Sequence, residues 1–120
     1  WDAGRRLPGL RVPALPEAAE HAGYKGYVFV EPEALNPGWS RDRVMTAMVE
    51  RGVPCFSGSC SEVYLERCFQ DAGLAPARPL PVARELGETS LMFLVHPTLE
   101  DADMQRTVCA LAEVMNEAAG

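Results

Sequence analysis

The 120-residue chain predicts a small α/β (α+β) domain: a three-stranded sheet in the order 1-3-2, its middle strand antiparallel, with helices covering one face. Three observations carry this. The run Leu91-Met92-Phe93-Leu94-Val95 is apolar at every position before it stops at His96-Pro97, so both faces of that strand need cover and it belongs at the centre of the sheet. Two further stretches, Tyr24 to Val30 and the shorter Val53 to Ser57, are rich in β-branched and aromatic residues or bounded by turn formers, as strands are. Two longer stretches repeat apolar residues at helical spacing: Val44 and Met48 in one, and Met104, Val108, Leu111, Met115 and Ala118 in the other. A right-handed crossover makes the first two strands parallel, and the most apolar strand then fits between them.

In order along the chain, residues 1–20 hold Pro8, Pro13, Pro16, Gly4 and Gly9, which punctuate both helix and strand. They are expected to form an extended, partly mobile connector. The strand from Tyr24 is stopped by Glu31-Pro32, and after the Pro37-Gly38 turn Ser40 is placed to cap a helix that ends near Arg51-Gly52. Pro54 near the start of the second strand points to a sheet edge. Beyond the polar turn at 57–61, Ser61 is placed to cap a short helix over 62–69, and Pro81 to open another that delivers the chain to the central strand. Thr98 and Asp101 match a capping box for the last helix, which leaves His96 as a turn residue beside it. Phe93, in mid-run, is the expected centre of the core, so that Phe93→Ala should cost about 3–5 kcal/mol.

Composition excludes several classes. Net charge is −6 and the basic residues are scattered, so no basic stripe follows a phosphate backbone and nucleic acid is not an expected partner. No apolar run approaches the roughly 20 residues that span a membrane. Cys55, Cys60, Cys68 and Cys109 form no C-x-x-C pair, and with two histidines they make no zinc pattern. Free thiols in a reducing cytoplasm are expected, although a Cys55–Cys60 disulfide is geometrically conceivable. No nucleophile elbow, P-loop or dinucleotide fingerprint occurs, so neither catalytic, cofactor-binding nor metal-binding residues are assigned. Lys25 is the single lysine, at the start of a strand where its ammonium reaches solvent.

Several patterns together resemble one family. His21-Ala-Gly-Tyr24-Lys25-Gly26-Tyr27-Val28-Phe29-Val30, then Gly38-Trp39-Ser40-Arg41-Asp42 and Arg51-Gly52-Val53-Pro54-Cys55, are similar to the C-terminal part of the DegT/DnrJ/StrS aminotransferases. The closing pattern, Leu80-Pro81-Val82-Ala83-Arg84-Glu85-Leu86-Gly87 followed by Ser90 to Leu99, is similar too. The resemblance spans about residues 18–118. It implies a fold-type-I enzyme dependent on pyridoxal phosphate that moves an amino group from glutamate to a keto-sugar nucleotide, with residues 21–120 as its small C-terminal domain and 1–20 as the connector from a large N-terminal one. It further implies that the large domain supplies the Schiff-base lysine and the phosphate ligands, that two subunits form a homodimer, and that this fragment alone is inactive.

The same resemblance places substrate contacts just after the second strand, where Gly58 and Ser59 stand instead of the family's frequent His-Tyr pair, and makes Tyr64, His21 and Tyr24 further candidates. Without it, a turn at Ser57, Ser59 and Ser61 is a capped turn, and Tyr64 a core ring with its hydroxyl at the surface. The same alternation of strands and helices would also serve a free-standing α/β module that binds a ligand or a partner protein.

Overall fold

The computed structural model describes residues 1–120. Strands β1 (Leu10–Arg11), β2 (Lys25–Val30), β3 (Cys55–Phe56) and β4 (Ser90–Leu94) form one sheet in the order β1-β2-β4-β3, every neighbouring pair antiparallel. The three expected strands are β2, β3 and β4, and β4 lies between the other two as the apolar run requires. The correction is a fourth strand. Leu10 pairs with Val30 and is buried, although its local sequence carries no strand signal.

The first twelve residues therefore pack on the domain instead of leading loosely into it. Trp1 donates its indole N–H to the Tyr27 carbonyl at 2.9 Å, a single 3-10 turn spans Gly4–Arg6, and Glu31 N–H donates to the Gly9 carbonyl at 2.9 Å. Residues 13–23 hold no regular element. The cost of ordering the first segment is met by the burial of Leu10 and by the partly buried Trp1, Leu7 and Val12, which all lie against the core.

Helices α1 (Arg41–Glu50), α2 (Arg67–Asp71), α3 (Pro81–Thr89) and α4 (Asp101–Ala119) complete the domain. Strand periodicity sends Val28 and Val30 of β2, Leu91 of β4 and Cys55 of β3 to one face, where they meet Val44 and Met48 of α1 and Leu111, Val114 and Met115 of α4. Arg51 ties the two long helices together at the edge of this layer, reaching Glu117 at 2.5 Å and Glu113 at 3.5 Å. The opposite face carries Arg11, Tyr27, Phe29, Met92 and Phe56 by the same alternation. It is covered in part by α3, whose Glu85 lies 3.5 Å from Arg11. Helices thus lie on both faces, and the expectation of one covered face holds only for α1 and α4.

Three local expectations shift. Ser40 caps α1 as predicted, accepting the Arg43 N–H at 3.2 Å. Thr98 does not cap α4: its hydroxyl is paired with His96 Nδ1 at 2.8 Å, and Glu100 with Asp103 forms the capping box two residues later. Ser61 caps no helix either; a 3-10 turn over Val63–Leu65 and the short α2 replace the single helix expected there. The central strand is shifted by one residue from its apolar run, starting at Ser90 and ending at Leu94. Leu91 is fully buried and Phe93 only half-buried, while Leu94 and Val95 are exposed, so the centre of the core is Leu91.

Candidate functional site

The polar turn after β3 is held rigidly from three sides. Ser90 donates its hydroxyl to the Ser57 carbonyl at 2.6 Å, which fixes the start of the turn to β4. Arg41, reaching across from α1, donates to the Ser90 carbonyl at 3.0 Å and the Gly87 carbonyl at 3.2 Å, so that anchor is itself braced. Gly58 then takes φ +91°, a backbone angle L-residues rarely adopt, and a Cβ there would stand 2.7 Å from Cε1 of Tyr27. The Tyr27 ring is thus the floor of the turn, and its hydroxyl lies 3.3 Å from Ser59 Oγ at the open surface. At the far end Ser61 packs against Gly87 of α3.

Tyr64 belongs to the frame of this turn and not to its open side. It is buried, donates its hydroxyl to Glu62 Oε1 at 2.5 Å and accepts the Leu80 N–H at 3.0 Å, so it fastens the 3-10 turn to the start of α3. The hydrogen bond to the Glu62 carboxylate, with burial second, raises the Tyr64 pKa above its ordinary value. What remains free at the surface is a hydroxyl pair, Ser59 and Tyr27, on a backbone that has little room to move.

His21 and Tyr24 are elsewhere. The His21 ring meets Trp1 edge-on, with centroids 4.9 Å apart, and its Nδ1 accepts the Gly23 N–H at 2.9 Å. Tyr24 is 79% exposed, with Lys25 Nζ 5.3 Å above its ring. His21 lines a groove on the α4 side of the sheet, whereas Ser59 stands against Tyr27 on the other face. The five candidates therefore divide into two groups that do not meet. Tyr27 and Arg41 were missed as contributors to the turn. Tyr27 was within reach of the period-two rule, since it sits one residue from the buried Val28 and so faces away from the helical layer.

The four cysteines are free. Burial pushes the Cys55 thiol up to about 11, against smaller opposing effects from the Phe56 backbone and Arg41. No group of three or more His, Cys, Asp and Glu side chains is arranged to hold a metal ion, and no helix is long and apolar enough to cross a membrane.

No protein-family model matches the chain, and no curated protein does. Solved structures do. The aminotransferase from Psychrobacter cryohalolentis superposes with a TM-score of 0.86 at 50% identity, over 92% of this chain and 29% of that one. The aminotransferase TlmJ from Streptoalloteichus hindustanus gives a TM-score of 0.77 at 20% identity, over 96% of this chain and 28% of its own. A DegT DnrJ EryC1 StrS aminotransferase from Brucella abortus gives 0.74 at 20% identity, over 95% of this chain and 28% of its own. The resemblance to the DegT/DnrJ/StrS aminotransferases holds. The two matches at 20% identity share the fold of this chain, and the Psychrobacter enzyme shares half its residues as well. The domain spans less than a third of the length of each.

Proposed function

We propose that the chain is the small C-terminal domain, residues 21–120 with 1–20 leading in from a large N-terminal domain, of a homodimeric, cytoplasmic aminotransferase that uses pyridoxal phosphate. The observation that carries this is the 50% identity over 92% of the chain to an enzyme of which it covers only 29%. The amino donor is glutamate and the acceptor a keto-sugar nucleotide, as the resemblance to the DegT/DnrJ/StrS aminotransferases implies.

The chain's own residues do not suit the cofactor. Its one lysine lies at the start of β2, with its ammonium over the exposed Tyr24 ring, and the sequence holds no P-loop motif. The cofactor belongs with the large domain. The part played here is to present the Ser57–Tyr64 turn to the acceptor: Ser59 with Tyr27 offers hydroxyls suited to a polyhydroxylated ligand, and Tyr64 with Arg41 keeps the turn in place. Exposed apolar side chains near this face, among them Phe56, Leu65 and Leu80, are then the contacts of the large domain or second subunit.

The test separates the two half-reactions in the full-length enzyme under single-turnover conditions. Ser59→Ala is expected to slow the acceptor half-reaction by up to about tenfold, the worth of one lost hydrogen bond, while the donor half-reaction and the cofactor spectrum stay as they were. Tyr27→Phe, which removes the hydroxyl paired with Ser59, should give the same pattern. Equal slowing of both halves would assign the turn a folding role, and no change in either would remove it from the site.

A further inference from the structure

Both ends of the turn at 57–61 hang from one point, the junction of α3 and β4. Helix α3 ends at Thr89 and β4 begins at Ser90, with no residue between them. The Ser90 hydroxyl holds the start of the turn through the Ser57 carbonyl at 2.6 Å. Gly87, three residues back in α3, borders its end: a Cβ there would collide with Ser61 Oγ and stand 3.2 Å from Ser61 Cβ. Glycine weakens a helix interior relative to alanine, and this close approach accounts for its presence in α3.

A single side chain fastens the junction. Arg41 Nη1 donates to the Gly87 carbonyl at 3.2 Å and to the Ser90 carbonyl at 3.0 Å, and the side chain is only 16% exposed. The Gly87 carbonyl is one of the last four of α3, which have no partner within the helix, and the last turn of α3 carries no basic residue of its own. Arg41 brings the missing cation from outside, to the end where the helix macrodipole favours it. Its own place, in the first turn of α1, is the unfavourable end of a helix for a positive charge, offset by the exposed Asp42 carboxylate at 2.7 Å. What Arg41 reaches explains the placement better than the helix that carries it. Between its two supports the turn has little hold of its own. No backbone–backbone hydrogen bond involves residues 58–61, and the 3.3 Å between Ser59 Oγ and the Tyr27 hydroxyl is long for a bond between hydroxyls.

We propose that Arg41 is a positioning residue for the acceptor half-reaction: through the Gly87 and Ser90 carbonyls it holds both ends of the turn in the acceptor-binding conformation before the acceptor arrives, an inference that rests on the assignment of this turn to the acceptor. A turn that occupies the competent conformation only part of the time binds with an affinity lowered by that fraction, while the bound complex reacts as before. Arg41 therefore governs how tightly the acceptor is held and not how fast the amino group moves.

The test uses the full-length enzyme with 3-fluorotyrosine at position 27 and two variants. Arg41→Lys keeps the charge and gives up the planar fork; Gly87→Ala favours the helix, leaves Arg41 in place and crowds Ser61. Fluorine NMR without substrate should show one narrow resonance from position 27 in the parent and a second or broadened one in each variant. In single turnovers with a keto-sugar nucleotide, the acceptor concentration giving half the limiting rate should rise by up to about tenfold in both variants, with the limiting rate and the donor half-reaction unchanged. An unaltered resonance with an unaltered half-saturating concentration would overturn the proposal, and so would equal slowing of both half-reactions at saturation. Ser59→Ala separates the proposal from the reading beneath it. If Ser59→Ala slows the acceptor half-reaction and Arg41→Lys leaves it alone, the turn keeps its role and Arg41 loses its own. If the resonance splits but none of the three variants alters the acceptor half-reaction, Arg41 places a turn that does not serve the acceptor, and the reading fails together with the inference.

Discussion

Gly58→Ala tests the idea that the turn after β3 is held in one conformation by its backbone and by the Tyr27 ring. The substitution acts in two separable ways. At φ +91° an L-residue is strained by roughly 1–2 kcal/mol, whatever the surrounding space. The added methyl group would also stand 2.7 Å from Tyr27 Cε1, and overpacking of that kind costs about 1–3 kcal/mol, toward the lower end here because the edge of a half-buried ring can swing. The sum is about 2–4 kcal/mol. Tyr27→Ala removes the ring but leaves the backbone angle, so in the double variant the packing part should disappear and the strain remain. A double-mutant cycle on the 120-residue chain, by denaturant titration followed through tryptophan fluorescence, should therefore give a coupling of about 1 kcal/mol or more between the two sites. A Gly58→Ala variant with an unchanged midpoint would refute the strained turn. Full additivity would refute the contact with Tyr27.

Leu91→Ala should cost about 2–5 kcal/mol and Phe93→Ala about 1–3, because Leu91 is fully buried opposite Val28 while Phe93 is half-buried at the groove; the two denaturation midpoints, ranked in the opposite order, would move the centre of the core back to Phe93. Alkaline pH should weaken the fold through Cys55. Its thiol ionises near 9 when unfolded and only near 11 when folded, so the unfolded chain binds fewer protons in that window and stability falls as pH rises from 9 to 11, by about 2 kcal/mol at most. Cys55→Ala should flatten that slope in a pH series of denaturation curves, and an unaltered slope would show that another group carries it. Incubation of the 120-residue chain with pyridoxal phosphate and borohydride should leave Lys25 unmodified, and a stoichiometric adduct by mass spectrometry would place a cofactor site on this domain.

What the sequence determined by itself was the part of the fold written in repeating patterns. The unbroken run at Leu91 to Val95 placed β4 between β2 and β3, and the helical spacing from Met104 to Ala118 identified the helix that covers them; each signal sums over many residues, so no single neighbour can reverse it. Ser40 and Gly52 bounded α1 correctly because both signals lie at the ends of such a pattern. Tertiary structure decided whatever hung on one residue or one distant contact. Thr98 and Glu100 are both able to cap α4, and the choice fell to Glu100 because the Thr98 hydroxyl had found His96. Leu10–Arg11 became a strand because the backbone of β2 was there to pair with, a long-range contact that leaves no local pattern. The candidate site was legible to the same extent. Its glycine and serines mark a turn at 57–61, but only the packing of Tyr27 beneath Gly58 and the reach of Arg41 to Ser90 make that turn rigid. The sheet then puts His21 on the opposite face from Ser59, a separation set by the alternation of strand faces and by where α4 comes to rest.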